Sequence, residues 1–233
     1  MARELFLLSA GAAKALVLSR KHSFEASADA VLNATFGAVG AMRDKWDAGA
    51  RCDVVILSAK LLDELARDDA IESATRASLG HVRTGVAVLA GAEIPALDNA
   101  DDLRRAFGSA SALFLPDPER ATAGIHCIDV LRRLGILATM KPRLRPFENG
   151  AAAMAELARV GDARALGCTQ VTEILYTHGV ALAGPLPSGF ELNTEYAAAV
   201  TTRTSDAALA RRFVALLGGA ETLAARRAGG FAA

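Results

Sequence analysis

The sequence predicts an α/β fold built on parallel, doubly wound sheet, and three observations predict it. Residues 5–8, 30–36 and 53–57 are short apolar runs of buried-strand length. Each closes on a turn of small residues: Ser9-Ala10-Gly11-Ala12-Ala13, Gly37-Ala38-Val39-Gly40 and Ser58-Ala59-Lys60. Each turn opens a stretch of helical spacing, through Leu16 and Leu18, through Met42 and Trp46, and over residues 61–67. Strand-to-helix units in series make a parallel sheet whose ligands sit beyond the carboxyl ends of its strands.

The later elements follow from the same signals. A polar helix or loop over 70–79 precedes a strand over 81–89, with Arg83 near its start. A turn-rich segment containing Pro95 leads to a helix over 100–107. The apolar run 112–115 is a strand stopped by Pro116 and Pro118, and Ile125, Ile128, Leu131 and Leu134 mark the helix after it. The basic, proline-containing segment 141–146 carries no clear period. An Ala-rich helix runs from Asn149-Gly150 to Val160, and a strand opens at 165–167. A short helical turn lies over 172–175, and an apolar stretch, 180–182, leads to Gly184-Pro185-Leu186-Pro187. A strand over 194–200 and helices over 206–217 and 222–227 close the chain. No repeat or low-complexity linker interrupts it.

The chain has 233 residues, enough for one large domain or two lobes with separate cores. Its zero net charge, without a basic block, argues against nucleic acid and anionic membrane surfaces as partners. No apolar segment approaches the roughly 20 residues of a membrane span. The run after Met1-Ala2-Arg3-Glu4 holds only Leu5-Phe6-Leu7-Leu8 before Ser9, shorter than the ~7–15 residues of a secretory leader core. The chain as written therefore reads as cytoplasmic, and as periplasmic if a leader once preceded it. Cys52, Cys127 and Cys168 sit in apolar stretches without metal-ligand spacing, so they read as reduced, packed thiols. His22, His81 and His178 share no spacing that suggests a metal, and no cofactor motif occurs.

The candidate site gathers at the strand-to-helix turns. A helix N-terminus offers unpaired N–H groups and the positive end of its dipole, which suits a small anion. Ser9, Ala10, Gly11, Gly37 and Ala38 are candidate ligand contacts from the first two turns, and Lys60 from the third. Thr122, Ala123 and Gly124 open the helix after residue 118, with Arg120 just ahead. Arg83 and Arg120 together suit a polyanion, since a guanidinium grips a carboxylate through two parallel bonds. His126, with an ordinary pKa near neutrality, is the candidate proton-transfer group, and Glu173 is the alternative base.

Several segments together resemble the type II periplasmic solute-binding fold, in its molybdate-binding-like branch. They are Ser9-Ala10-Gly11-Ala12, Thr35-Phe36-Gly37-Ala38-Val39-Gly40, Ala48-Gly49-Ala50 with Cys52-Asp53-Val54-Val55-Ile56, Arg83-Thr84-Gly85-Val86-Ala87-Val88, Arg132-Arg133-Leu134-Gly135-Ile136, Thr172-Glu173-Ile174-Leu175 and Gly184-Pro185-Leu186-Pro187. The resemblance implies two α/β lobes, each a mostly parallel sheet flanked by helices, joined by two crossing strands that act as a hinge, with ligand held between the lobes. It implies a first lobe of residues 1–83 with 191–233 and a second of 84–190. Serine hydroxyls hold the oxyanion in molybdate binders, and the matching positions here are Gly11 and either Val39 or Gly40, which argues against molybdate itself. The segment Ala121-Thr122-Ala123-Gly124-Ile125-His126, with Thr172-Glu173-Ile174, is similar to the subset that includes aconitate isomerase.

Three functions follow as expectations: a receptor for a small carboxylate or oxyanion, a cytoplasmic sensor of such a ligand, and an isomerase that shifts a double bond in an unsaturated polycarboxylate. In the last, Arg83 and Arg120 would hold carboxylates while His126 or Glu173 moves an allylic proton. An ABC permease is an expected partner only of a form that once carried a leader.

Overall fold

The computed structural model describes residues 3–232. The chain divides into two units, Met1–Val82 with Thr194–Ala233, and Arg83–Asn193. The division falls inside two strands, so Arg83 and residues 191–193 belong to the second unit, where the sequence alone assigns them to the first lobe. The reason is backbone pairing, because the Thr84 N–H donates to the Leu192 carbonyl at 2.9 Å.

In unit 1 the chain runs β1 (Arg3–Ala10), α1 (Lys14–Ala28), β2 (Ala30–Gly37), α2 (Val39–Asp47), β3 (Val54–Ser58) and α3 (Ala59–Arg67). A single 3₁₀ turn, Ser73–Thr75, then leads into β4 (Ala77–Leu89), whose first half closes this passage. The strands order as β2-β1-β3 in parallel, and β9 (Asn193–Val200) returns antiparallel against β3. Alternation along the strands feeds two layers. Leu8, Val55, Leu57, Ala197 and Ala199 pack with Met42 and Trp46 of α2 and Leu62 and Leu65 of α3. The C-terminal helices α9 (Ala207–Gly218) and α10 (Leu223–Ala228) follow, and Phe213 of α9 meets Phe24 of α1 with ring centroids 4.7 Å apart. Trp46 is buried, and the Arg203 guanidinium lies 3.8 Å from its ring centroid.

Unit 2 begins within β4 and continues through α4 (Ala100–Ser109), β5 (Leu113–Pro116), α5 (Thr122–Arg133), α6 (Leu137–Met140), β6 (Leu144–Phe147), α7 (Gly150–Val160), β7 (Leu166–Gln170), α8 (Val171–Tyr176) and β8 (Val180–Pro185). Its strands β7, β5 and β6 are parallel neighbours, and β4 joins antiparallel between β7 and β8. On one face Val86, Val88, Leu113, Leu115, Leu166 and Cys168 pack under α4 and α5. On the other, Ala87 and Phe114 pack under α7 with Ile174 of α8. All three cysteines are free and buried. Desolvation raises the Cys52 thiol to about 12, and a hydrogen bond with Cys168, then burial, raises Cys127. Among the described residues no helix is long and apolar enough to cross a membrane.

Candidate functional site

Within unit 1 the expected turns do come together. The parallel register sets Ala10 beside Gly37, and Ser9 beside both Phe36 and Ile56, so the turns after β1, β2 and β3 share one carboxyl edge of the sheet. Ser9 is fully buried and its hydroxyl donates to the Ala10 carbonyl at 3.0 Å, which turns it into the turn and not outward. Ala10 caps the 3₁₀ turn Gly11–Ala13 without any side-chain bond. Gly37 lies against the Met42 side chain, and the Ala38 carbonyl accepts the Met42 N–H at 3.0 Å. Lys60 is exposed on α3. The antiparallel strand β9 begins at the same edge, and there the buried Thr194 hydroxyl lacks a hydrogen-bond partner among the described residues.

Unit 2 builds a comparable edge from the carboxyl ends of β5, β6 and β7. Thr122, Ala123 and Gly124 form the first turn of α5. The loop ahead of it is tied by Asp117, whose carboxylate accepts the N–H groups of Glu119 and Arg120 at 2.8 and 3.0 Å. Gly124 is there for packing, since a Cβ at this position would run into the Pro116 and Asp117 carbonyls. Arg120 is exposed beside this loop. His126, one turn along α5, is partly buried and hydrogen-bonds the Phe190 carbonyl through Nε2 at 2.8 Å, which straps the 186–192 segment to the helix.

Glu173 occupies an interior position that the sequence did not suggest. Its carboxylate accepts the Thr169 hydroxyl at 2.6 Å together with N–H groups of Gly150, Ala151 and Gln170. Burial pushes its pKa up from the ordinary carboxylate range, and these donors pull it partly back. With Asn149 accepting the Ala152 N–H at 2.9 Å, the first turn of α7 is fully capped from within the protein. Glu173 thus anchors a helix and faces no open space.

What sequence reasoning missed is a set of unpaired polar side chains. Thr84 stands directly opposite Gln170 in the β4–β7 ladder, and opposite residues share a face with Cβ atoms about 5 Å apart. By alternation this is the face of Val86, Cys168 and α5, whereas Arg83 lies on the other face. Thr84 is 0 % exposed, Gln170 3 % and Thr172 2 %, yet Thr84 Oγ1, both terminal atoms of Gln170 and Thr172 Oγ1 have no hydrogen-bond partner among the described residues. A buried polar group left unpaired costs about 1–3 kcal/mol, so native proteins rarely gather several at one place without a use. Arg83 is exposed and makes no hydrogen bond or ion pair among the described residues. The only sequence signal for the Gln170 position was the polar Thr169-Gln170 pair at the end of an apolar strand.

The helix caps sort in the same way. Among the helices of eight or more residues, α4, α7 and α9 are capped by Asn99, Asn149 and Asp206. The helices α2, α3 and α5 start without a side-chain cap at the carboxyl edges of β2, β3 and β5, as does the 3₁₀ turn Gly11–Ala13 after β1, whereas α7, at the edge of β6, is capped.

Two α/β units, with the chain passing from one to the other on β4 and back on β9 and with bare helix starts at the carboxyl edges, define the type II periplasmic solute-binding fold in its molybdate-binding-like form. The chain belongs to the bacterial extracellular solute-binding protein family, whose model matches residues 5–232. It is 27% identical over 168 residues to the molybdate-binding protein ModA of Escherichia coli K12, a match covering 71% of this chain and 65% of that protein's length. Among solved structures it is similar to the periplasmic molybdate-binding protein of Azotobacter vinelandii, with a TM-score of 0.80 at 18% identity over 98% of this chain and 99% of that one. It is also similar to the structure titled as the tungstate ABC transporter of Geobacter sulfurreducens, with a TM-score of 0.67 at 14% identity over 95% of this chain and 96% of that one.

Proposed function

We propose that this chain binds a small oxyanion, tetrahedral or carboxylate, outside the cytoplasm and delivers it to a membrane permease. The observation that carries the proposal is the distribution of helix caps. The starts of α2, α3 and α5 and of the 3₁₀ turn Gly11–Ala13 that leads into α1 lie bare at strand carboxyl edges, whereas α4 and α9 are capped by side chains and α7, after β6, is the one helix at such an edge that the protein caps itself. Uncapped N-termini keep donors and a favourable dipole available for negative charge. The family, and relatives named for molybdate and for a tungstate ABC transporter, support both the oxyanion and the permease. They also favour an extracytoplasmic setting.

Binding without turnover fits the two candidate catalytic groups. His126 is held by the Phe190 carbonyl and Glu173 by the α7 N-terminus, so both have internal work that proton abstraction from an aconitate-like substrate would disrupt.

Thermal-shift and calorimetric titration with molybdate, tungstate, sulfate, phosphate, succinate, malate and citrate tests the proposal. At least one of these anions should raise the melting temperature, because a ligand of the folded state alone stabilises it by about 2.7 kcal/mol at a hundred times Kd. Thr122→Pro sharpens the test. Ala121 already has φ −100° and ψ 128°, the backbone that precedes proline readily, and proline suits the first helical position. The variant should fold normally, lose one N–H donor and bind about tenfold or more weakly, as expected for one charge-assisted bond. No binding of any anion at millimolar concentration by the wild type would overturn the proposal.

A further inference from the structure

We infer that the solute carries its own O–H donor beside its anionic oxygens, as a hydroxy acid or a hydrogen phosphate does, and that Gln170 reads that donor. The inference rests on the oxyanion reading above and narrows it to a chemical class.

The buried side chains of Gln170 at the end of β7, of Thr84 opposite it in β4, and of Thr172 in the first turn of α8 offer a countable set of hydrogen-bonding groups. Thr84 and Thr172 can each donate one O–H, and the Gln170 amide can donate two N–H bonds while its oxygen can only accept. Both terminal atoms of Gln170 are unpaired, so exchanging the amide oxygen and nitrogen leaves the same shortfall of one donor and one acceptor. A fully deprotonated tetrahedral anion such as molybdate or sulfate presents acceptors alone. It can satisfy the hydroxyls and the amide nitrogen, and it leaves the buried amide oxygen unpaired. An anion with an O–H next to its charged oxygens satisfies both ends of the amide at once.

The neighbouring groups leave this role to Gln170. Thr169, adjacent in sequence, has its hydroxyl committed to Glu173, and the Gln170 backbone N–H is given to the same carboxylate. The strand end is therefore fixed by the backbone and by Thr169, which leaves the Gln170 amide unpaired on the α5 face together with the Thr84 hydroxyl among the described residues. A site that hydrogen-bonds a hydroxyl discriminates strongly against an analogue lacking it, because the protein's polar atom is then buried without a partner.

Calorimetry on the full chain tests this with matched pairs: malate against succinate, and hydrogen phosphate against sulfate and molybdate. The expected result is at least tenfold tighter binding of the O–H member in at least one pair. The pair that shows it says whether the solute is a hydroxy acid or a phosphate. Gln170→Met keeps the length and burial of the side chain without its amide, and it should retain or raise the melting temperature of the unliganded protein while the preference collapses. Gln170→Glu keeps an acceptor oxygen and should retain the preference at lower overall affinity, a second readout should the methionine variant fold poorly. Binding of the O–H member no tighter than its partner in both pairs, with some anion still bound by the wild type, overturns the inference and leaves the oxyanion function standing. A preference that survives in Gln170→Met also overturns it, and the absence of any anion binding overturns both.

Discussion

Glu173 shows how one residue type supports opposite readings. In sequence it is a carboxylate in a short helical turn, equally suited to be a base or a cap. In the structure its environment decides, because a fully buried carboxylate that receives the Thr169 hydroxyl and the N–H groups starting α7 is a structural anchor. Its pKa is raised, with desolvation the largest cause, so the native state holds this proton to higher pH than the unfolded chain does. The associated stability is fully present below the unfolded carboxyl value of about 4.3 and is lost as pH rises through the raised native value. Urea unfolding of wild type and Glu173→Gln over a pH series should therefore give a difference that shrinks as pH increases. At acid pH the variant should be less stable by about 1–3 kcal/mol, since its amide turns N–H groups toward the donors of Gly150, Ala151 and Gln170. A difference independent of pH would show that Glu173 keeps an ordinary pKa. Gln170 is the converse case. Its identity was plain in the sequence, but its meaning was not, because burial without a partner is a property of the folded neighbourhood alone.

At the scale of elements, most of the architecture was legible where apolar period and small-residue turns coincided. β1, β2 and β3 with their helices, β5 with α5, and the Ala-rich α7 all appear where the pattern places them. β6 was not legible, and its physical reason is position. It is an edge strand of unit 2, half exposed and carrying Pro146, so it shows neither the apolar run nor the donor pattern of a central strand. The end of β7 was hidden because its last residues are polar yet buried. Gly124, expected in an anion-binding turn, also makes a close backbone approach that no sequence signal marked. Two helical glycines should consequently respond with opposite signs. Alanine is the better helix former by about 1 kcal/mol, and at Gly108 of α4 an added Cβ meets nothing within 4 Å, so Gly108→Ala should raise stability by up to that amount. At Gly124 the same methyl meets fixed carbonyls of Pro116 and Asp117, and overpacking of this kind costs about 1–3 kcal/mol, so Gly124→Ala should lower stability. Chemical denaturation of both variants distinguishes them, and equal shifts would refute the packing role of Gly124.

At the scale of the whole molecule, the two units differ in how the chain builds them. Unit 1 is assembled from two separate segments, whereas unit 2 is the uninterrupted stretch Arg83–Asn193. A segment of roughly 110 residues is long enough to bury a core of its own. Unit 2 has two, the layer of Leu103, Phe107, Val130 and Leu131 on one sheet face and that of Phe114, Met154 and Leu157 on the other. The strand at its start does not depend on unit 1 for partners, since residues 84–88 of β4 pair with β7 and residues 85–89 with β8. Its end is tied down as well: the Thr84 N–H bonds the Leu192 carbonyl, the Leu186 N–H bonds the Thr84 carbonyl at 3.1 Å, and His126 holds the Phe190 carbonyl. Residues 83–193 expressed alone should therefore fold, with a helical and strand circular-dichroism signal and a single cooperative urea transition. Because the sole tryptophan, Trp46, belongs to unit 1, the transition has to be followed by circular dichroism or by Tyr176 emission. A cooperative transition would show that the bonds to residues 186–192 suffice to close the unit. A broad, non-cooperative one would mean that the first half of β4 and the strand β9 are needed to complete it.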